Sequence, residues 1–476
     1  MTRILAAWLA GFFVAALAVF VYLLDSRPDL SVWHLADLDE EFTVRSDVAD
    51  FGQYLALEGR LFKQLDQLVY AEVPVGRENA INRYSRGSLA DPGRWPRNWN
   101  RSFEWLSEQP QAGVVLLHGL SDSPYSMRAL GQAMHRKGAT VLGLRIPGHG
   151  TAPSGLVEAR WQDMAAAVRL AVRHVRGLVG DKPVYLVGYS NGGALAVEYT
   201  LATLDDSALP GVAGVVLLSP EIGLSRVAAL AVWQARLGHL LGLEKLAWNA
   251  LLPEYDPYKY GSFAVNAGDL AYRITAHIQQ RLGALQGTGK LEGLPPILAF
   301  QSGVDATVTA SALVANLFDR LPPANHELVL FDINRRAEVG LLLREDPRVV
   351  FEPLLRKAVR SFDITIVTNE NAESDRVVAS TTLHTDDAVS ATTVLNEWPP
   401  GIFSLSHVAL PFSPLDPVYG GPAAPDSPGI QLGDLAPRGE RGVLQVSGTD
   451  LLRLRWNPFY DYVEARVLEF AGLGQR

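Results

Sequence analysis

Cysteine is absent from this chain of 476 residues. Its absence excludes disulfide bonds, thiolate nucleophiles and cysteine-bound metals. An excess of positive charge is absent too, since the formal net charge is −9, and this argues against a nucleic-acid partner. Low-complexity tracts and internal repeats are also missing from the sequence. The composition that remains is that of a globular protein, long enough for one large domain with insertions or for two ordinary domains.

The first residues are strongly apolar. Residues 4–24 carry no charged and no strongly polar side chain. As a helix they would be roughly 31 Å long, close to the hydrocarbon core of a bilayer at about 30 Å. Arg3 precedes this segment and acidic residues follow it, a bias that predicts a cytoplasmic amino terminus. We therefore expect residues 1–25 to be a single-pass membrane anchor, with the rest of the chain on the far, extracytoplasmic side.

A cleaved signal peptide is the alternative interpretation of the same residues. Ala16-Leu17-Ala18 resembles a small-residue cleavage site. Cleavage there would leave the apolar residues 19–24 as a new amino terminus. The sequence therefore favours a retained anchor.

Residues 26–110 predict an extension, or stalk, that packs onto the following domain. Apolar side chains recur near the helical period between Asp50 and Val73, and Pro74 follows. This predicts one long helix. No chemistry is indicated by this region.

From residue 111 to 476 the pattern is that of one α/β domain. Short apolar runs alternate with helical segments, as in a parallel sheet that is buried on both faces. The runs begin at Gly113, Ala139, Val184, Gly214, Pro296 and Glu327. In such sheets the functional residues gather in loops beyond the carboxyl ends of the strands.

Two segments interrupt this alternation. The first, about residues 222–286, is mostly helical in pattern, and its apolar stripe consists of Leu230, Trp233, Leu237, Leu240 and Leu241. The second, about residues 334–400, contains an extra strand at residues 362–367. Residues 456–472 predict a closing helix.

One pentapeptide, Gly188-Tyr189-Ser190-Asn191-Gly192, has the form G-x-S-x-G. It follows a strand-like run and precedes a helix-like one, and this context is typical of a nucleophilic serine on a strained strand-to-helix corner. A turn with only a packing role is the alternative. We interpret Ser190 as the nucleophile.

A serine hydroxyl needs a base, and the base needs an orienting carboxylate. Asp305 lies in the loop after the strand that begins at Pro296, and we interpret it as that acid. A turn or helix cap is the other common role for aspartate. Asp332, which ends the next strand, is the reserve candidate.

The base is sought among ten histidines. His407 lies in a loop-like stretch after the last strands and keeps the order Ser, Asp, His. His326 precedes a strand and would face the wrong end of the sheet. His384, in a threonine-rich segment, is the second candidate. We interpret His407 as the base.

The negative oxygen that develops during acyl transfer needs two backbone N–H donors. Asn191, directly after the nucleophile, supplies one. The other is expected from the loop after the first core strand, and Leu120 is its candidate. We expect His118, in the same loop, to have a structural role.

Taken together, these motifs resemble the α/β-hydrolase superfamily, in the branch of lysophospholipases, monoacylglycerol lipases and related carboxylesterases that also contains serine aminopeptidases. The resemblance covers roughly residues 114–220 and 296–332 and the patch around His407. It implies Ser190, His407 and Asp305 as the catalytic residues, Leu120 and Asn191 as the oxyanion hole, and residues 222–286 as a cap. About a hundred residues separate the acid from the base, more than in relatives, and an insertion after the strand that begins at Glu327 would account for this.

The expected reaction is ester hydrolysis through an acyl-serine, without metal or organic cofactor. The anchor and the apolar stripe favour a lipid or acyl ester as the substrate, although the stripe could equally pack on the sheet. Two alternatives stay open. An amide or peptide hydrolase would use the same residues, and a binding protein could keep the fold without catalysis. The sequence indicates no oligomeric state.

Overall fold

A computed structural model describes residues 26–223, 244–336 except 306, 360–433 except 386–388, and 453–474, with single positions elsewhere. Within these stretches no helix has the length and apolarity needed to cross a bilayer. The predicted anchor at residues 4–24 lies largely outside the described residues. The apolar stripe between Leu230 and Leu241 also lies outside them.

Twelve strands are present in the described part of the chain. In chain order they are β1 (Phe103–Trp105), β2 (Ala112–Leu117), β3 (Ala139–Leu144), β4 (Val184–Tyr189), β5 (Gly214–Leu218), β6 (Trp248–Ala250), β7 (Phe263–Ala264), β8 (Ile297–Ser302), β9 (Glu327–Phe331), β10 (Asp363–Asn369), β11 (Val377–Thr382) and β12 (Val389–Leu395). Ten of them form one sheet in the order β1-β3-β2-β4-β5-β8-β9-β10-β11-β12, while β6 and β7 pair separately.

The sheet is mostly parallel, as the sequence predicted. All neighbours from β3 through β2, β4, β5, β8 and β9 to β10 pair in parallel. Antiparallel pairs occur only at the two sides of this sheet. At one side β1 pairs with β3, and at the other β11 pairs with β10 and with β12. The carboxyl ends of β2, β4, β5 and β8 therefore lie along one edge of the sheet.

Eight α-helices accompany these strands in the described residues. They are α1 (Val32–Leu35), α2 (Phe51–Leu65), α3 (Arg128–Arg136), α4 (Trp161–Val179), α5 (Asn191–Thr203), α6 (Val265–Leu285), α7 (Ala310–Asn316) and α8 (Tyr460–Phe470). Residues from α4, α5, α6 and α7 share one apolar cluster with the sheet. Residues from α3 and α8 share another.

The two clusters lie on opposite faces of the sheet because side chains alternate along a strand. In β2, Val115 and Leu117 belong to the first cluster, whereas Val114 and Leu116 belong to the second. All six residues of β2 are buried. Continuous apolar runs are thus required here, because a strand covered by helices on both faces has no solvent side.

The amino-terminal extension packs onto the domain through a buried ion cluster. Helix α2 begins at Asp50, whose carboxylate accepts a hydrogen bond from the Gln53 N–H at 2.8 Å. The predicted helix ends earlier than expected, at Leu65, and a π-helical turn follows at Asp66–Tyr70. Buried Arg145, just after β3, pairs with Glu41 at 2.8 Å and with Glu58 of α2 at 3.2 Å.

The beginning of this extension is tied to residues 245–249, an arrangement that we call the Arg27 bracket. The Arg27 guanidinium donates hydrogen bonds to the carbonyl oxygens of Lys245 at 2.9 Å, Trp248 at 2.6 Å and Asn249 at 3.2 Å. In return, the Lys245 ammonium donates to the Arg27 carbonyl at 3.0 Å and to the Asp29 carboxylate at 2.9 Å. The bracket joins two parts of the chain that are more than 200 residues apart.

The first insertion differs from the sequence expectation for residues 222–286. Helix α6 takes up residues 265–285 of it, and the buried side chains of Ile274, Ile278 and Leu282 belong to the core cluster on the sheet. This helix is therefore the crossover between β5 and β8. The other described residues of this insertion are 222–223, 286 and the segment 244–264, which contains the β6–β7 pair.

The second insertion, residues 334–400, extends the sheet. The extra strand expected at residues 362–367 is β10, and it pairs in parallel with β9. Strands β11 and β12 were not predicted, and they continue the sheet by antiparallel pairing. The insertion therefore adds β10, β11 and β12 at one side of the sheet. Strands β5, β8 and β9 separate these added strands from β4 and Ser190.

Candidate active site

Ser190 occupies the corner between β4, which ends at Tyr189, and α5, which begins at Asn191. Its backbone has φ 52° and ψ −117°, a strained conformation for a residue with a side chain. A Cβ atom on Gly192 would lie 2.2 Å from the Leu117 carbonyl oxygen, and one on Gly188 would lie 2.4 Å from the Gly192 carbonyl oxygen. The two glycines are needed because backbone segments meet at this corner.

A chain of hydrogen bonds connects Ser190 to the two other predicted residues. The Ser190 Oγ lies 3.1 Å from His407 Nε2, and His407 Nδ1 lies 2.7 Å from Asp305 Oδ2. All three side chains are buried. The structure thus brings together residues that are up to 217 positions apart in the sequence.

The loop that carries His407 is fixed on both sides of the histidine. Ser302, the last residue of β8, donates a hydrogen bond from its Oγ to the Leu405 carbonyl at 2.8 Å. Ser406 donates from its Oγ to the Leu454 carbonyl at 2.5 Å. These bonds hold the imidazole over the carboxyl ends of β4 and β8.

The surroundings of Asp305 favour its ionised form. Its Oδ1 accepts hydrogen bonds from the N–H groups of Thr307 at 2.8 Å and Val308 at 3.0 Å, and its Oδ2 accepts one from the Gln301 side chain at 2.9 Å. Burial alone would raise the pKa of Asp305, but the hydrogen bond and charge of His407, together with the backbone donors, hold that pKa below its usual value. A carboxylate of this kind can fix the tautomer of His407 and stabilise its protonated form.

The reserve candidates lie elsewhere. Asp332 pairs with Arg335 at 2.6 Å, and His384 pairs with Asp363 at 2.7 Å. His326 accepts a hydrogen bond from the N–H of Ile297, the first residue of β8, at 3.1 Å. This places His326 at the opposite end of the sheet from Ser190.

The loop after β2 touches the nucleophile. A Cβ atom on Gly119 would lie 3.2 Å from the Ser190 Cβ and 2.8 Å from the Tyr189 ring. Neither the Leu120 N–H nor the Asn191 N–H donates a hydrogen bond to another described residue. The two amides are therefore placed as candidate donors to a substrate oxygen.

His118 stabilises this loop. Its Nδ1 donates to the Gly119 carbonyl at 2.9 Å, and its Nε2 accepts from the Ile146 N–H at 3.0 Å. Burial, followed by the neighbouring His149, lowers the pKa of His118 well below its ordinary value. The His118 ring is therefore neutral, and each of its nitrogens makes a hydrogen bond within the protein. This supports a structural role for His118.

Sequence reasoning missed one residue beside the nucleophile, Glu221. Its N–H donates to the Ser190 carbonyl at 2.9 Å. Its side chain is only 6% exposed, and among the described residues its Oε2 has no hydrogen-bond partner. Burial raises the pKa of Glu221 to about 7. The available signal was its position directly after Ser219-Pro220, where β5 has ended.

Within the described residues, no group of three or more histidine, aspartate or glutamate side chains is arranged to hold a metal ion.

The sheet order and the strained serine corner are those of the α/β-hydrolase fold. The family model of serine aminopeptidases, S33, matches residues 108–334, slightly less than half of the chain. The match contains Ser190 and Asp305 but ends before His407. The resemblance found in the sequence is thereby confirmed.

Two curated relatives resemble parts of this chain. A thermostable monoacylglycerol lipase of Bacillus sp. (strain H-257) is 28% identical over 125 residues, which are 26% of this chain and 47% of the relative. Phospholipase YtpA of Bacillus subtilis (strain 168) is 27% identical over 152 residues, 32% of this chain and 53% of the relative. The chain thus spans about half the length of the curated relatives it matches.

A solved structure, the monoacylglycerol lipase of Paleococcus ferrophilus, is 19% identical with a TM-score of 0.37. The alignment covers 53% of this chain and 97% of that one.

Proposed function

We propose that this chain is a serine hydrolase that cleaves carboxylic esters. The observation that carries the proposal is the chain of hydrogen bonds from Ser190 through His407 to Asp305, at a corner whose strain presents the hydroxyl. A binding protein would have no need for an oriented base next to a strained serine. The geometry therefore favours catalysis over the non-catalytic alternative.

The reaction has two stages. In the first, the Ser190 Oγ bonds to the ester carbonyl carbon while its proton moves to His407 Nε2. The resulting oxyanion accepts hydrogen bonds from the N–H groups of Leu120 and Asn191. The bond to the alcohol oxygen then breaks, and His407 gives its proton to that oxygen, which leaves an acyl-serine.

In the second stage, water attacks the acyl carbonyl while His407 Nε2 removes one of its protons. The bond to the Ser190 Oγ breaks, His407 returns the proton to the serine, and the carboxylic acid leaves. Asp305 stabilises the imidazolium in both stages. No step requires a metal ion or an organic cofactor.

The substrate is proposed to be a lipid or acyl ester. Both curated relatives are named for lipid esters, one as a monoacylglycerol lipase and one as a phospholipase. The apolar residues 4–24 support a retained membrane anchor, with the amino terminus in the cytoplasm and the hydrolase on the far side. An anchored enzyme would encounter lipids directly. The mass of the mature amino terminus tests whether the anchor is retained.

Hydrolysis of amides or peptides is the second candidate, because the matching family model is that of serine aminopeptidases. The same serine, histidine and aspartate would perform it. Parallel panels of esters and of peptide amides, offered to the purified protein, separate the two. We expect esters to be cleaved faster.

Replacement of the nucleophile tests the proposed function. Ser190→Ala should lower kcat for ester hydrolysis about 10⁴-fold or more, and should abolish labelling by a fluorophosphonate. His407→Ala should have a similar effect on kcat, whereas His384→Ala, which removes a remote histidine bonded to Asp363, should retain activity. Full activity of Ser190→Ala would refute the enzyme proposal.

A further inference from the structure

Glu221 is held beside the nucleophile by its backbone. Its N–H donates to the Ser190 carbonyl at 2.9 Å, and its own carbonyl accepts a hydrogen bond from the Thr275 Oγ at 3.1 Å. Ser219, two residues earlier, has φ 41°, and Pro220 follows it. A strained turn thus holds the backbone of Glu221 against that of Ser190, in a region where strain commonly accompanies function.

The topology indicates which side of the substrate this residue meets. Strand β5 lies between β4, which ends just before Ser190, and β8, which precedes Asp305. The loop after β2 that contains Leu120, which we call the oxyanion loop, lies on the other side of β4. The carbonyl oxygen of a bound ester must point toward the oxyanion loop. The alcohol oxygen must lie on the His407 side, because His407 protonates it. Glu221 is therefore on the side of the departing alcohol.

The carboxyl group of Glu221 lacks the partners that normally accompany burial. In the described part of the chain no side chain or backbone group bonds its Oε2, and no salt bridge involves it. A buried polar group without a partner lowers stability. Asp305, in contrast, has four hydrogen-bond donors at similar burial. We infer from this unpaired, buried acid, on the residue whose backbone bonds that of the nucleophile, that its partner arrives with the ligand.

A neutral donor fits this environment better than a cation. Burial is the physical cause that raises the pKa of Glu221 to about 7, so near neutral pH the group exists in both its acid and its carboxylate form. A hydroxyl group can hydrogen-bond to either form. A cation would interact favourably with the carboxylate only.

We propose that Glu221 is a specificity-determining residue whose carboxyl group hydrogen-bonds a hydroxyl group carried by the alcohol part of the ester. This inference rests on the proposed ester hydrolysis. It concerns the choice among esters, whereas the Ser190→Ala experiment concerns hydrolysis itself.

The experiment compares esters that share one acyl group, with the full-length protein in detergent. Glycerol monobutyrate carries two free hydroxyl groups on a three-carbon alcohol, and propyl butyrate carries none. Butyrylcholine carries a cation without a hydrogen-bond donor. The measured quantity is the ratio of kcat/KM for glycerol monobutyrate to that for propyl butyrate. Fluorophosphonate labelling of Ser190 reports whether each variant is folded.

Loss of a hydrogen bond to a buried carboxyl group should lower this ratio about tenfold in Glu221→Leu. The matched control Glu292→Leu, at an exposed position before the start of β8 and so toward the opposite end of the sheet from Ser190, should leave the ratio unchanged. If the leucine variant does not label, Glu221→Gln decides the question, and its ratio should fall about threefold because an amide forms a weaker, uncharged hydrogen bond.

An unchanged ratio in the folded variant would overturn the proposal, whether both rates fall equally or neither falls. A selective loss of butyrylcholine hydrolysis would overturn it as well, since Glu221 would then recognise charge. A wild-type protein that cleaves none of the three esters would refute the proposed function, a result distinct from an unchanged ratio.

Discussion

Burial and the charges of three buried carboxylic acids raise the pKa of Tyr189, the residue before the nucleophile, and these acids differ in their own partners. Asp305 has several donors, and its pKa is held below the usual value despite burial. Burial raises the pKa of Glu221 to about 7. Burial also raises the pKa of Asp122 to about 7, although the charge of Lys259 and the Ser123 N–H oppose the shift. Asp305, with four hydrogen-bond donors and the charge of His407, is the one of the three whose pKa stays below its usual value.

The raised pKa of Glu221 should make the free energy of unfolding depend on pH. The pKa of Glu221 is raised in the folded protein above the ordinary value of 4.5. Between about pH 4.5 and pH 7 the folded state therefore binds more protons than the unfolded state, so the free energy of unfolding falls as the pH rises through this window. Glu221→Gln removes the titrating group and with it this fall in the free energy of unfolding. We expect the variant to exceed the wild type by up to about 3 kcal/mol at pH 8 and by much less at pH 4.5.

Urea unfolding of both proteins at the two pH values measures this difference. Glu292→Gln, in which the removed carboxyl group is exposed, serves as the control and should show no such pH dependence. An equal effect of Glu221→Gln at both pH values would contradict the prediction.

At the residue scale, the sequence predicts those site residues whose position follows from a short motif or from the end of a strand. Ser190 could be predicted because a G-x-S-x-G motif between a strand and a helix imposes a strained corner. Asp305 could be predicted because acids follow strands at the active edge of the sheet. Glu221 could not, since its importance comes from burial without a partner. Burial of that kind depends on how β4, β5 and α6 pack together.

At the scale of elements, the loop that carries His407 depends on the end of β8. The Ser302 Oγ donates to the Leu405 carbonyl at 2.8 Å, two residues before the base. Ser302→Ala removes this buried hydrogen bond and loosens the loop. We expect kcat to fall by up to about tenfold with little change in KM, because a misplaced base affects the transition state more than substrate binding.

Steady-state kinetics of Ser302→Ala and Ser302→Thr checks this expectation. Threonine keeps the hydroxyl group and should restore most of the activity. A loss in KM alone, or an equal loss in both variants, would show that the hydrogen bond does not position His407.

Elements with continuous apolar runs were predicted well, among them β2, β4 and β8, because burial on both faces requires such runs. Strands β11 and β12 were missed. Residues 389–394 of β12 are exposed and rich in serine and threonine, so hydrophobic periodicity does not reveal it. Helix α6 was included in a cap for a related reason: its amphipathic pattern does not say whether its apolar face covers the sheet or a substrate.

At the scale of the whole molecule, the Arg27 bracket ties the start of the extension to the β6 region. Arg27→Ala removes three hydrogen bonds to carbonyl oxygens. We expect the free energy of unfolding to fall by about 1–3 kcal/mol, with faster proteolysis near residues 244–250.

Arg60→Ala is the matched control, because exposed Arg60 forms its one ion pair within the described part of the chain with the partly exposed Glu40. Its effect should be below about 1 kcal/mol. Thermal unfolding and limited trypsin digestion of both variants give the comparison. Equal destabilisation by the two substitutions would show that the bracket adds nothing beyond a surface ion pair.

The bracket also bears on where the polypeptide can be shortened. A shortened form that starts at Ser26 omits the apolar residues 4–24 yet keeps the Arg27 guanidinium that bonds the carbonyl groups of residues 245–249. One that starts at Leu30, only four positions later, discards Arg27 and Asp29 together and leaves the Lys245 ammonium without either of its acceptors. Four amino acids thus separate a truncation that preserves this long-range tie from one that severs it.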